Sequence, residues 1–352
     1  MAHSRDTVPA PPHVQIKPTA KCNLRCRTCT LWHTDIESGP GSDPVAERLS
    51  DLELAQLVDQ VAAWGVKRLE IADGEPFLRR ATPQIIEQAA GLGLDVMAIS
   101  NATLIDRTLA ARLVRDGLGT LIVSLDGPEG LHDKARGVEG TFSKLAEAVR
   151  MLNEEKSRAD SPTPALISHT VVSRLNYTRL VETLRAAESL GAAVAAYRYL
   201  SRVPPEAVDA TNTILGGEYA SPAHHYSVEE DLRIPDDELP KLAGIIDRLV
   251  AAGNRSSVQL ALDPLLFDLA RAGRAVERRF EGEGCPLIGG FLQISPRGVV
   301  HPCPMLTGIG LGSVRQRPLR EIFEAPATQN LLARIQDLFP LPICPHCCYR
   351  ER

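Results

Sequence analysis

The sequence lacks several features that mark particular classes of protein. Acidic residues outnumber basic ones and the formal net charge is -5 at pH 7, so the broad positive field of a nucleic-acid binder is missing. No stretch approaches about 18 uninterrupted apolar residues, the length of a membrane span. Residues 1–13 have no charged start followed by an apolar core, as a secretory signal peptide would. We expect a cytoplasmic protein with a small-molecule substrate and neither a nucleic-acid nor a membrane partner.

The chain does contain ample apolar sequence and eight cysteines. Hydrophobic residues make up 44% of the 352 positions, enough for one large domain with a substantial core and a smaller second domain. Without a signal peptide, the cysteines are better metal ligands than disulfide partners, because cytosolic thiols stay reduced.

Buried strands alternate with amphipathic helices over the first 200 residues. The predicted strands lie at 13–17, 67–72, 95–100, 120–125, 166–172 and 193–200. Each is joined to the next through at least one helical segment, which is typical of a parallel α/β sheet with right-handed crossovers.

The predicted organisation has four parts. Residues 1–13 are disordered and 14–200 form the large domain. Residues 201–257 hold an inserted loop or lid at 203–233, which includes His224, His225 and Tyr226, followed by a linking helix. Residues 258–352 form the small α+β domain, with a hairpin around the turn at 296–298 and two helices after it.

Three cysteines directly follow the first predicted strand. Cys22, Cys26 and Cys29 are separated by three and two residues, so one short loop supplies three thiolates at the carboxyl end of a strand. Open sheets and barrels place their chemistry at this end. The spacing alone also permits a zinc site.

Polar residues end the next three strands. Gly74-Glu75 lies in the turn after the second strand, Ser100-Asn101 ends the third, and Ser124 ends the fourth, two residues before Asp126. Each side chain has an ordinary alternative role. Gly74-Glu75-Pro76 is also a common turn sequence, and Ser, Asn and Asp are frequent helix caps.

Together these motifs resemble the radical S-adenosylmethionine superfamily. They are CNLRCRTC at 22–29, ADGEP at 72–76, SNAT at 100–103 and SLDG at 124–127. The resemblance implies a partial (β/α)6 TIM-like barrel in which the three cysteines hold a 4Fe-4S cluster. One iron is left for S-adenosylmethionine, which is cleaved to a 5′-deoxyadenosyl radical by an electron from a flavodoxin- or ferredoxin-type donor.

The resemblance also assigns cofactor contacts. It implies that Gly74 and its backbone neighbours receive the methionyl amine, that Glu75 positions this ammonium, and that the other strand-end residues contact the carboxylate or ribose. Those residues are Ser100, Asn101, Ser124 and Asp126. One position departs from the family, because Thr28 stands where an aromatic residue usually helps to hold adenine. Trp32 could replace it or could be a core residue.

A second set of cysteines lies in the C-terminal part. Cys285, Cys303, Cys344 and Cys347 resemble the ligands of a twitch domain, a shortened SPASM domain that holds an auxiliary 4Fe-4S cluster. A structural zinc site is the alternative. Cys348 is left over, and we consider it a bystander, an alternative ligand or a hydrogen-atom donor to a product radical.

The resemblance in cysteine spacing extends to the radical dehydrogenases of aminocyclitol antibiotic biosynthesis. It implies oxidation of an alcohol to a ketone in a sugar-like, aminocyclitol or nucleoside intermediate, with the auxiliary cluster as electron acceptor. Arg198 is a candidate for binding substrate at the barrel mouth, unless it faces solvent. The alternatives are redox-neutral epimerisation or decarboxylation, radical modification of a ribosomal peptide, and a non-catalytic metal-binding module.

Overall fold

The computed structural model describes residues 8–29, 48–200, 203–217, 219, 232–274, 276 and 284–347. Ten strands in this part of the chain form one sheet. They are β1 (His13–Ile16), β2 (Arg68–Ile71), β3 (Asp95–Ser100), β4 (Thr120–Ser124), β5 (Ala165–Val172), β6 (Val194–Tyr199), β7 (Gln259–Leu262), β8 (Phe291–Ile294), β9 (Val299–His301) and β10 (Gly312–Ser313).

Eleven α-helices lie in the same described ranges. They are α1 (Asp51–Trp64), α2 (Thr82–Gly91), α3 (Arg107–Arg115), α4 (Glu129–Arg136), α5 (Thr141–Arg158), α6 (Leu180–Ser189), α7 (Pro205–Leu215), α8 (Leu239–Gly253), α9 (Pro264–Ala272), α10 (Leu319–Glu324) and α11 (Pro326–Asp337). None of these helices combines the length and apolar composition needed to cross a bilayer.

The sheet confirms the predicted partial (β/α)6 TIM-like barrel. Its order is β10-β9-β8-β1-β2-β3-β4-β5-β6-β7, and all pairs from β1 to β7 are parallel. Helices cover its outer face. On β6, for example, Tyr197 is fully buried and its hydroxyl donates to the Leu180 carbonyl at the start of α6, 3.0 Å away. Alternate residues of β6 therefore face the barrel interior.

The sheet extends beyond the predicted barrel at both edges. β7 adds a seventh parallel strand, although the sequence analysis places the start of the small domain at residue 258. β8 pairs with β1 in parallel and continues into β9 as the predicted antiparallel hairpin. The C-terminal segment therefore joins the barrel sheet directly.

The prediction of a loop over 203–233 is wrong where α7 lies. Pro205 is at the first helical position, and Gly216 ends the helix in the left-handed conformation with a φ of 77°. Proline and glycine are favoured at these two helix ends, so residues that suggested a loop instead delimit a helix. Residues 220–231, including His224, His225 and Tyr226, lie outside the described residues.

Residues 8–12, within the segment predicted to be disordered, lie against the sheet. Pro11 is buried and the Pro12 carbonyl accepts hydrogen bonds from the backbone N–H groups of Lys67 and Arg68. Pairing with the start of β2 therefore orders the chain before β1. Residues 1–7 are outside the described ranges.

A chain of buried polar side chains crosses the seam between β8, β1 and β2. Gln293 donates to Gln15, Gln15 donates to Glu70 at 2.6 Å, and His13 lies 3.2 Å from the other Glu70 carboxylate oxygen. Gln15, Glu70 and Gln293 are at most 2% exposed. The hydrogen bonds from Gln293 to Gln15 and from Gln15 to Glu70 pair side-chain groups that would be costly to bury alone.

Candidate functional site

The cysteine loop at 22–29 follows β1 and is held in place by the end of α4. The Arg25 N–H donates to the Arg136 carbonyl at 3.2 Å, and the Arg27 N–H donates to the Ala135 carbonyl at 2.9 Å. Gly137 has a φ of 71°, and a Cβ there would lie 2.2 Å from the Arg25 carbonyl oxygen. Helix α4 thus fixes the loop through backbone contacts that only glycine permits at its end.

Three hydrogen-bond donors point at the cysteine sulfurs. The Leu24 N–H lies 3.4 Å from Cys22 Sγ, the Asn101 amide lies 3.9 Å from the same atom, and Arg136 Nη1 lies 3.5 Å from Cys26 Sγ. Burial raises the pKa of the Cys22 thiol, with the Leu24 N–H opposing the rise. Donors of this kind stabilise negative charge on thiolate ligands.

The donor set of the loop fits a 4Fe-4S cluster. Three thiols come from one short loop, and N–H groups point at the sulfurs of Cys22 and Cys26. Thiolate ligands with such donors are typical of iron-sulfur sites. Residues 30–47, with Trp32 and the polar loop, are not among the described residues.

Gly74 packs against the chain that leads to the cysteines. Its φ is 55°, and a Cβ would lie 2.4 Å from the Lys21 carbonyl oxygen and 2.9 Å from that of Thr19. The Glu75 N–H donates to the same Lys21 carbonyl at 2.8 Å. The turn after β2 is therefore fitted directly to the cysteine loop.

The Glu75 carboxylate joins the ends of β2 and β3. It is fully buried and accepts hydrogen bonds from the Asn101 N–H at 2.8 Å, the Ser100 hydroxyl at 2.9 Å and the Phe77 N–H at 3.2 Å. Burial raises its pKa to about 7, against the opposing effect of these donors. The structure thus brings Gly74, Glu75, Ser100 and Asn101 together beside Cys22.

Asp126 is bonded within the protein. Its carboxylate accepts from the Val171 N–H at 3.0 Å and lies 2.8 Å from Arg136 Nη2, and both Asp126 and Arg136 are buried. Burial alone would lower the pKa of the Arg136 guanidinium, but Asp126 and then Cys26 outweigh it, so the pKa is raised and the group is cationic. Sequence reasoning did not identify Arg136, because no local pattern links it to a cysteine 110 residues away.

Ser124, His169 and Arg198 share the inner face of the barrel. Arg198 alternates with the outward-facing Tyr197, so it lies on the side of β6 that faces the barrel interior. That it binds substrate at the barrel mouth stays a prediction. His169 on β5 is in register with Ser124 on β4 and with Ala196 on β6. His169 was not singled out from the sequence, although the alternation along 165–172 contained the signal.

The four C-terminal cysteines line one cavity. The other residues around it are all apolar: Leu287, Ile288, Met305, Leu306, Ile335, Phe339, Leu341 and Ile343. Burial raises the pKa of Cys303 to about 12, opposed mainly by the Met305 N–H, which lies 3.4 Å from its sulfur. Four thiol ligands in an apolar shell suit an auxiliary cluster that is shielded from water. Cys348 lies outside the described residues.

The two groups of cysteines lie at opposite ends of the strands of the sheet. Cys22 follows the carboxyl end of β1, whereas Cys303 follows β9, which runs antiparallel to β8 and therefore antiparallel to β1. The inner-face residues Ser124, His169 and Arg198 belong to β4, β5 and β6, which lie on the other side of β1 from β8 and β9.

Comparisons with known proteins agree with both cysteine sites. The Radical SAM superfamily model matches residues 16–187, and the SPASM model, described as an iron-sulfur cluster-binding domain, matches residues 285–348. The AdoMet-dependent heme synthase of Methanosarcina barkeri is 26% identical over 310 residues, which are 87% of this chain and 80% of that protein. The PqqA peptide cyclase of Granulibacter bethesdensis is 24% identical over 98% of this chain and 82% of its own length.

The fold is also found in a solved structure. Streptococcus suis SuiB bound to S-adenosylmethionine aligns with a TM-score of 0.66 at 15% identity, over 96% of this chain and 72% of that chain.

Proposed function

We propose that this chain oxidises an alcohol to a ketone. It combines a radical SAM domain with a SPASM domain and is therefore a radical SAM enzyme. The proposed substrate is a sugar-like, aminocyclitol or nucleoside intermediate of the kind oxidised in aminocyclitol antibiotic biosynthesis. The observation that carries this proposal is the cavity in which all four C-terminal cysteines meet among apolar side chains.

The two cluster sites divide the redox chemistry. A 4Fe-4S cluster, S-adenosylmethionine and an auxiliary iron-sulfur cluster are the cofactors that these domains imply. When bound, the first cluster and S-adenosylmethionine supply a 5′-deoxyadenosyl radical that abstracts hydrogen. Cys22, Cys26 and Cys29 would hold this cluster. With four cysteines as ligands, the auxiliary cluster has no site for substrate and would supply a one-electron acceptor.

The residues at the strand ends take different roles around S-adenosylmethionine. We assign the methionyl amine to the Gly74 backbone, and the carboxylate or ribose to Ser124 and the Asn101 amide. Glu75 and Ser100 bond to each other, and Glu75 also accepts the Asn101 N–H. They therefore act by fixing the two turns, and in its deprotonated form Glu75 would place negative charge near the ammonium. Asp126 acts indirectly, through its ion pair with Arg136.

The inner face of the barrel supplies groups for the substrate. Oxidation of a carbinol removes the carbon-bound hydrogen atom, the hydroxyl proton and one further electron. We assign the proton to His169, which lies beside Ser124 on the face that Arg198 shares. Arg198 binds and orients the substrate through its guanidinium. When bound, the auxiliary cluster would accept this electron, and a flavodoxin- or ferredoxin-type protein would supply the electron for each cleavage of S-adenosylmethionine.

Peptide modification is the second candidate. The likeness to PqqA peptide cyclase extends over 98% of this chain and 82% of that protein, so a relative that acts on a peptide matches both domains. The same two clusters would then serve a radical formed on a peptide side chain.

The test is a product balance with anaerobically reconstituted enzyme. Candidate aminocyclitols, nucleosides and peptides are incubated with S-adenosylmethionine and reductant, and 5′-deoxyadenosine is counted against product. We expect one 5′-deoxyadenosine per ketone and a product lighter by two hydrogens. A product of unchanged mass contradicts oxidation, and turnover of a peptide alone favours the second candidate.

Two variants test the residues assigned to the electron-transfer and proton-transfer steps. Cys303→Ala should still cleave S-adenosylmethionine but should give no ketone. His169→Asn should lower the rate of ketone formation about 10²-fold or more, the range for loss of a general base. Thr120→Val on the same barrel face is the matched control, and its rate should stay near that of the wild type. A His169→Asn enzyme with the wild-type rate would exclude His169 as the base.

A further inference from the structure

Arg136 connects a buried carboxylate to a cluster ligand. Its Nη2 lies 2.8 Å from the Asp126 Oδ2, and its Nη1 lies 3.5 Å from Cys26 Sγ. Both charged side chains are buried, Asp126 at 1% and Arg136 at 9% exposure. Water therefore screens the pair weakly, and its charges act strongly on their surroundings.

We propose that the Asp126–Arg136 ion pair sets the reduction potential of the cluster held by Cys22, Cys26 and Cys29. The inference rests on the radical SAM domain and not on the proposed substrate. Reduction adds one negative charge to the cluster, and a cation that donates a hydrogen bond to a ligand sulfur stabilises the reduced form. Arg136 thus raises the potential. Asp126 is one contact farther from the sulfur and partly opposes this effect.

The geometry calls for arginine at this position. One nitrogen faces the carboxylate while another faces the thiolate, and the rigid fork of a guanidinium fixes these two directions together. The backbone of the same residue accepts the Arg25 N–H, so the cation is attached to the loop that it tunes. Asp126 in turn is fixed by the Val171 N–H and by its own N–H, which donates to His132 Nδ1 at 3.2 Å.

Opposite shifts in two variants separate tuning from a structural role. In Arg136→Gln the positive charge is lost, and at a fixed applied potential the ratio of reduced to oxidised cluster should fall about tenfold, which is 59 mV for a one-electron couple. In Asp126→Asn the negative charge is lost, and the ratio should rise. Arg136→Lys keeps the charge and should lie between Arg136→Gln and the wild type. Simple damage to the site would not move the two main variants in opposite directions.

The measurement is an anaerobic redox titration followed by electron paramagnetic resonance. The signal that changes on addition of S-adenosylmethionine identifies the first cluster, and iron per chain checks loading. Arg112→Gln and Asp116→Asn are the controls, because the half-buried Arg112 has its Nε 3.1 Å from the buried Asp116 carboxylate in an ion pair that is not attached to a cysteine. Both should leave the potential unchanged.

Each outcome decides the proposal. A fully loaded Arg136→Gln with the wild-type potential would overturn it. If Arg136→Gln cannot hold iron, Asp126→Asn decides, since it keeps the Arg136 contact with Cys26. A higher potential in that variant supports the proposal, and an unchanged or lower one overturns it.

Discussion

At the scale of single residues, two glycines near the end of α4 share a conformation but not an environment. Gly137 and Gly140 have φ values of 71° and 74°. A Cβ on Gly137 would meet the Arg25 carbonyl oxygen at 2.2 Å, whereas a Cβ on Gly140 would have no neighbour within 4 Å. A comparison of substitutions at the two glycines therefore separates the effect of contact with the cysteine loop from the cost of the left-handed backbone conformation.

We predict that Gly137→Ala loses its first cluster and Gly140→Ala does not. In both variants, placing alanine in the left-handed conformation lowers the free energy of unfolding by about 1 kcal/mol. Gly137→Ala must also displace the Arg25 carbonyl, so its total loss of unfolding free energy should exceed about 3 kcal/mol. Denaturant unfolding and iron per chain measure the two effects. Equal losses of unfolding free energy and of iron in the two variants would show that the contact with Arg25 does not contribute to stability.

Glu75 gives a prediction for the dependence of stability on pH. Its ordinary pKa is 4.5 and burial raises it to about 7, so between these values the folded protein keeps a proton that the unfolded chain has lost. Stability from this group is therefore present below pH 4.5 and is lost as the pH rises to 7, by on the order of 3 kcal/mol.

Glu75→Gln should remove this pH dependence. Urea unfolding of the metal-free protein at several pH values between 4.5 and 7.5 measures it, and the exposed Glu87→Gln is the control. The wild type should lose stability relative to Glu75→Gln as the pH rises. A constant difference between the two proteins across this range would mean that Glu75 has an ordinary pKa.

At the scale of secondary-structure elements, α7 supports the auxiliary cysteines. The buried Thr211 hydroxyl donates to the Ala207 carbonyl at 2.7 Å and accepts the Ile343 N–H at 3.1 Å, one residue before Cys344. Arg334 on α11 donates to the Leu215 carbonyl at the end of the same helix. A segment expected to be a loop is therefore part of the support for the auxiliary site.

We predict that Thr211→Val weakens the auxiliary site. The buried Ile343 N–H would lose its acceptor, at a cost of about 1–3 kcal/mol. Thr213→Val is the matched control, because the exposed Thr213 hydroxyl also donates four residues back, to the Asp209 carbonyl at 2.8 Å. Unfolding free energy and iron retained after treatment with a chelator are the measurements. Similar behaviour of the two variants would remove α7 from the support of the auxiliary site.

The elements that the sequence predicts well differ physically from those it misses. The six strands from β1 to β6 alternate with amphipathic helices, and their buried faces appear directly in the order of residues. β7 has only four residues, and an apolar run this short does not by itself distinguish a strand from another element. The cysteine groups are recognised by spacing. The contacts of Arg136 with Asp126 and Cys26 depend on how distant segments pack, which spacing does not report.

At the scale of the whole molecule, one sheet connects both cysteine sites. β8 pairs with β1, and the hydrogen bonds from Gln293 through Gln15 to Glu70 cross the seam. Trp64 on α1 also packs edge-on against Phe323 on α10, with 5.2 Å between ring centroids. The radical SAM domain and the SPASM domain therefore share a buried interface.

We predict that the two domains unfold together and that Gln15→Leu weakens both. The substitution leaves the buried Gln293 amide and Glu70 carboxylate without a shared partner, at a cost of about 3 kcal/mol or more. Hydrogen exchange read by mass spectrometry should show faster opening of β2 and β8 alike. Gln84→Leu on the exposed face of α2 is the control. Faster exchange confined to β2 would mean that the seam does not couple the domains.

The spacing of the two cysteine groups along the chain has a consequence for biosynthesis. The contacts described for the first cysteine loop come from residues 19–137, whereas the auxiliary ligands lie between 285 and 347. On the ribosome, the first set of partners is complete while the second is still untranslated. Iron delivered to the nascent chain would therefore meet Cys22, Cys26 and Cys29 before the four C-terminal cysteines.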